Sequence, residues 1–263
     1  MWYSYYNEKT TKEYIMSIIK GYDGSRHAPT TKVASKVKKR GHKKEHVFSD
    51  RIGGKVITGR EKPDVIKDEY SYSMKGAEKN IQMLLLSFGK SENAYGFDNP
   101  MYKYQLAAYN HKKFKFENNN MIDEELFDKF KSAAKITAEW LRNKNNFRFV
   151  LEKVLTDDYD ANKLVVLREI DQDALIYDMR EVVDLYVNSN YKIHVTKGGK
   201  VVVSVKVGSK VLKNGKTKDI NREILYLETR GSVKKIGSLN HGPRAPQFYS
   251  FLQENLNYEV IPK

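Results

Sequence analysis

The stretch "REKPDVIKDEYSYSMKG", residues 60–76, decides how this chain arranges its most chemical-looking residues. With Asp68-Glu69 as a two-residue hairpin turn, Asp64 falls opposite Ser73. Lys75 becomes the diagonal neighbour of Asp64 on the same face, within reach of a long side chain. Alternation along the second strand puts Ser71, Ser73 and Lys75 on one side and Tyr70, Tyr72 and Met74 on the other. One face is polar and gathers around Asp64; the other is fit to bury. A surface cross-strand ion pair would use Asp64 and Lys75 in the same way and contribute little.

Two further carboxylates point toward this hairpin. In "KKEHVFSDRI", Glu45, Phe48 and Ile52 share one helical stripe, so Glu45 belongs to the inward side of its helix. The run "AEKNIQMLLLSF" is read as a helix from Ala77 to Phe88, with Glu78 bordering the stripe of Ile81, Leu85 and Phe88. Inward carboxylates need a partner, because an isolated buried charge is very costly. A divalent metal together with Lys75 supplies one. Mg²⁺ takes hard oxygen ligands and keeps several waters, so one or two carboxylates suffice. Metal-bound water is more acidic, and a lysine beside it can orient that water or hold phosphate oxygens. Asp64, Glu78 and Glu45 are the carboxylates that such a metal would meet, beside Lys75 and Ser73 on the polar face.

The rest of the composition limits the alternatives. The 263 residues include no cysteine, which excludes disulfides, zinc-cysteine sites and thiol nucleophiles. The first residues lack a signal-peptide pattern, and no apolar run approaches the ~18 residues of a membrane span, so a soluble, cytoplasmic protein is expected. There is no Walker A loop or dinucleotide fingerprint, and so no sign of a nucleotide cofactor. His42 and His46 are spaced for a transition-metal pair but have no evident third ligand.

The formal charge is +14, from 47 Lys and Arg against 33 Asp and Glu. Lysine-favouring codon usage accounts for part of such an excess; its clustering points to a polyanion. Residues 25–44 hold eight Lys or Arg and no acid, and residues 191–235 hold twelve against three acids. That is the footprint of phosphate contacts. Candidate DNA contacts are Lys38, Lys39, Arg40, Lys43 and Lys44 in the first tract. In "RGSVKKIGSLNHGPRAP", read as a loop, they are Arg230, Lys234, Lys235, Asn240, His241 and Arg244.

Periodicity predicts a helix from about Lys9 to Lys20 and a second one ending at Gly53-Gly54. The middle, roughly 101–156, is predicted helical, with Leu126, Phe130, Ala133, Ile136 and Trp140 as a buried stripe. "KLVVLREI" is read as a strand. Several strands joined by Gly-Gly and Asn-Gly turns follow from residue 191, and "PQFYSFLQENL" closes as a helix. The expected fold class is α/β in the mixed α+β sense.

"KPD" followed by a strand ending in Ser-x-Lys, with a glutamate on the preceding helix, resembles the PD-(D/E)xK nuclease superfamily. Over residues 42–88 it is most similar to type II restriction endonucleases. The resemblance implies a central mixed sheet flanked by helices, Mg²⁺-dependent cleavage of double-stranded DNA, and a homodimer with one active site per strand. It makes Asp64 the metal-binding aspartate, Lys75 the catalytic lysine and Glu45 the helical glutamate. Ser73 stands where the usual acid is found, and Glu78 is the candidate replacement. Residues 1–160 would form the catalytic core with a helical insertion, and 161–263 a β-rich basic recognition part packed into the same unit. Trp140 and the N-terminal "WYSYY" are candidate interface or core. Two other readings use the same lysines: a non-catalytic nucleic-acid-binding protein, and a phage or mobile-element nuclease that recognises DNA structure.

Overall fold

The structure, a computed structural model, describes residues 31–57, 63–76, 81–156, 160–212, 214–229 and 238–263. The helix predicted over Lys9–Lys20 and the aromatic "WYSYY" lie outside these residues.

The second predicted helix is α1 (Thr31–Ile52). It ends because Gly53 takes φ +67°, the left-handed region that glycine enters without a Cβ penalty. Gly53 N–H then donates to Asp50 O and Gly54 N–H to Ser49 O, which closes the last turn in a Schellman motif. The chain turns directly into β1 (Lys55–Val56), β2 (Val65–Lys67) and β3 (Tyr70–Lys75). Val65 pairs with Tyr72, Ile66 with Ser71 and Lys67 with Tyr70, the register set by an Asp68-Glu69 turn. Asp68 carries φ +50°, which the short polar side chain of Asp tolerates in such turns.

Strand β3 next pairs in parallel with β5 (Lys163–Val166), and a parallel pair requires a long crossover. That crossover contains β4 (Leu84–Leu86), α2 (Phe88–Tyr95), α3 (Pro100–Glu117), α4 (Glu124–Leu141), α5 (Lys144–Leu151) and a π-helical turn over Glu152–Thr156. Then come β6 (Ala174–Asp178), α6 (Met179–Asn188), β7 (Tyr191–Val195), β8 (Val201–Val211), β9 (Thr217–Thr229), β10 (Leu239–Gly242), α7 (Ala245–Asn255) and β11 (Glu259–Ile261). One sheet has the order β1-β2-β3-β5-β6-β11 and the other β4-β10-β9-β8-β7. The first is mixed and the second antiparallel throughout. The expected mixed α+β class is what the chain adopts.

Strand β5 shows how the first sheet is buried on both faces. Leu164 and Val166 join the large core with Tyr177 and the helices of the crossover. Val165 and Leu167 point the other way, packing with Val65, Tyr72 and Phe48 of α1. Alternation with apolar residues on both sides is what a sheet covered by helices on each face requires. The division at residue 160 runs through this first sheet, since β5, β6 and β11 lie in it beside β1–β3.

Three elements differ from expectation. Residues 84–86 are a strand, not part of a helix from Ala77; "LLL" is short enough to serve either state, and pairing with β10 selects the strand. The run from Leu239 to Gly242 is a buried central strand, not a loop, because β9 and β4 flank it on both sides. On α4 the buried side is Phe130, Ala134, Thr137, Ala138 and Leu141, while Ile136 is 59% exposed. The stripe is rotated from the predicted one; Trp140 is partly buried against the large core.

Candidate functional site

Asp64, Ser73 and Lys75 meet where β2 and β3 part. The main chain still pairs at Asp64, whose N–H donates to Tyr72 O at 2.9 Å. Two residues further along β3, the Met74 N–H faces the side that β2 has left, and Asp64 Oδ2 accepts it at 2.6 Å. The carboxylate therefore holds the end of β3 in the place of a main-chain carbonyl. Ser71, on the same side of β3, is spent structurally: its N–H donates to Asn162 Oδ1, and its Oγ accepts the Asn162 N–H, both at 3.0 Å.

Lys75 is partly buried. Its Nζ donates to Ser73 Oγ at 2.9 Å and to Met74 O at 3.1 Å. Burial pushes its ammonium below the ordinary lysine value, while the negative charges of Asp64 and then Glu45 push it back up. Ser73 is fully buried, so its hydroxyl positions the lysine from beneath. Glu45 faces inward from α1 with 17% of its side chain exposed, and its Oε2 lies 2.8 Å from His42 Nδ1. Asp64 and Glu45 thus both act electrostatically on Lys75. Glu78 lies outside the described residues, and the helix on which its placement rested is absent from residue 81 to residue 87.

The helix α1 is pinned over the end of β3 by its cations. Lys44 is 6% exposed, and its Nζ donates to Gly76 O and Arg168 O. Gly76 makes this approach possible. A Cβ there would sit 2.2 Å from Leu167 O and 3.0 Å from Lys44 Cδ. Arg40 grips Glu169 with one guanidinium nitrogen at 2.7 and 2.9 Å from its two oxygens. The Arg40 hydrogen bond in turn holds the Glu169 carboxyl below its ordinary value. Arg51 donates to Ile170 O and Gln172 O. Arg40 and Lys44 of the first basic tract, together with Arg51 further along α1, thus grip the loop after β5.

The other candidate DNA contacts divide accordingly. Lys44 is buried against carbonyls and is withdrawn, because it has no surface to offer a phosphate. Asn240 and His241 are also withdrawn: they are 1% and 0% exposed inside β10, where His241 Nε2 lies 3.0 Å from Tyr95 OH. Lys39, Arg40, Lys43 and Arg244 are exposed, Arg244 beside Glu223 at 3.1 Å. Lys38 lies in α1. Arg230, Lys234 and Lys235 lie outside the described residues.

The donor set suits a hard cation with few protein ligands. Asp64 and Glu45 supply two carboxylates whose charges both reach Lys75, and Mg²⁺ completes its shell with water. Among the described residues no three His, Asp or Glu side chains converge as a full cage. Among the described residues no helix is long and apolar enough to cross a membrane. Compared with protein-family models and with curated protein sequences, the chain matches none.

Proposed function

We propose that the chain is a Mg²⁺-dependent endonuclease for double-stranded DNA, of the PD-(D/E)xK type and most similar to type II restriction endonucleases. One observation carries the reading: a carboxylate at the parting of two strands, a partly buried lysine on the adjacent strand, and an inward glutamate on the helix before them act on one another. A helix, an antiparallel β1-β2-β3 meander and a parallel β5 beside β3 surround them, which supports the same reading.

In this reading Asp64 and Glu45 would hold the metal, which would supply acidified water and charge neutralisation at the phosphate. Lys75 orients the attacking water and accepts its proton, helped by burial that favours the neutral amine. The water oxygen bonds to phosphorus, the bond to one ester oxygen breaks, and that oxygen takes up a proton from solvent as it leaves. Ser73 keeps the amine aimed. The exposed lysines of α1 and the second basic tract bind phosphates, and two chains, one per strand, make the double-strand break.

Incubation with plasmid DNA and Mg²⁺ tests the proposal. Discrete fragments are expected. A smear or a preference for branched DNA would favour a structure-specific nuclease, and intact DNA with every divalent metal would leave a non-catalytic binding protein.

A further inference from the structure

The two longest strands run past their sheet. β8 pairs with β7 only as far as Val205, and β10 meets β9 only from Tyr226 onward. Between Lys206 and Asn221 the two strands have no further strand partner among the described residues, and their register shifts between Lys206 and Gly208. The result is a two-stranded ribbon standing off the second sheet. Its sequence "KVGSKVLKNGKTKDIN" holds five lysines and one acid. That acid, Asp219, is committed at the foot of the ribbon, 2.7 Å from Lys206 Nζ and 3.3 Å from Lys192 Nζ. Lys216 and Lys218 are exposed and have no side-chain partner among the described residues.

At the foot of the ribbon opens a cleft of about 890 Å³, lined among others by Lys144, Asn188, Asn190, His194 and Asn221. None of these five side chains has a hydrogen-bonding or ionic partner among the described residues. Amides and cations left free beside a basic ribbon are what base edges and phosphates require.

We propose that the Lys206–Asn221 ribbon enters a groove of duplex DNA while the cleft at its foot takes the flanking backbone. Dimensions agree. Strands lie about 4.8 Å apart, and the major groove, roughly 12 Å wide, admits a two-stranded ribbon. The apolar ribbon residues Val207, Ile220 and Val211 are 39%, 43% and 74% exposed, and thymine methyls offer them contact. The inference rests on DNA as the substrate and assigns the element that grips it.

The test is binding of a labelled duplex by fluorescence anisotropy, in the absence of metal and over a range of salt. Lys216→Glu/Lys218→Glu should weaken binding at least roughly tenfold and lower the salt slope by about 2. Asn190→Ala/Asn221→Ala should weaken it further in combination. Unchanged affinity and slope in both variants would overturn the assignment. So would a wild-type dimer that the lysine variant or Val211→Ser dissociates, since the ribbon would then be a subunit arm. Plasmid cleavage is read separately. Wild-type protein that binds through the ribbon but never cuts defeats the nuclease reading alone. Normal cutting with unaltered binding by the variants defeats the ribbon alone.

Discussion

Asp64 Oδ2 accepts the amide hydrogen of Met74 at 2.6 Å, so the acid proposed to hold a metal is also the residue that fastens the strand carrying Lys75. Its structural and chemical duties can be separated by choice of substitution.

Asp64→Asn keeps an oxygen for the Met74 N–H but removes the charge. Cleavage should fall by ~10²-fold or more, in line with the loss of a charged catalytic group. Thermal unfolding should move little. Asp64→Ala should lose cleavage equally and also cost about 1 kcal/mol of stability for the missing hydrogen bond. Single-turnover plasmid cleavage and thermal melts check both. Full activity of either variant would reduce the hairpin to a surface feature.

Lys75 is held below the ordinary lysine value by burial. The folded protein therefore releases this proton more readily than the unfolded chain does. The associated stability is fully present above the unfolded value of 10.5 and is lost as pH falls through the lowered folded value. Lys75→Met should accordingly abolish cleavage yet raise the melting temperature at neutral pH. The gain should shrink as pH approaches that of free lysine. Melts across pH, with cleavage alongside, would expose a purely structural lysine by a loss of stability instead.

Lys44→Met should leave Gly76 O and Arg168 O without their ammonium donor, at a cost of about 1–3 kcal/mol. Lys43→Ala, on an exposed neighbour, should leave stability unchanged and weaken only DNA binding. Chemical denaturation of the two variants makes the comparison; equal effects would contradict the burial of Lys44.

Gly76→Ala places a methyl group 2.2 Å from Leu167 O, a backbone atom that cannot swing aside. Destabilisation of about 1–3 kcal/mol is expected for such overpacking. Because the displaced strand end carries Lys75, activity should drop more than stability alone explains, measured well below the melting point.

Light scattering of the DNA-bound protein should give the mass of two 30.6 kDa chains plus one duplex. One chain per particle in both free and bound states, with nicked circles accumulating before linear DNA, would replace the dimer by a monomer that nicks each strand in turn.

Local sequence determined the hairpin and the helix before it. Alternation has a period of two residues, so one turn at Asp68-Glu69 settles which side chains face Asp64, and the β2–β3 register follows. Gly53-Gly54 likewise ends α1 through backbone freedom that needs no distant partner. Tertiary structure decided what short-range patterns leave open. Whether "LLL" at 84–86 coils or extends depended on β10, and whether Asn240 and His241 met solvent depended on β4 and β9. Lys44 looks like its basic neighbours in sequence; only the fold brings it a carbonyl 124 residues away and buries it there. The ribbon lysines, too, gained their meaning from where β7 and β10 stop pairing, because a strand's solvent exposure is set by its neighbours in the sheet, not by its own residues.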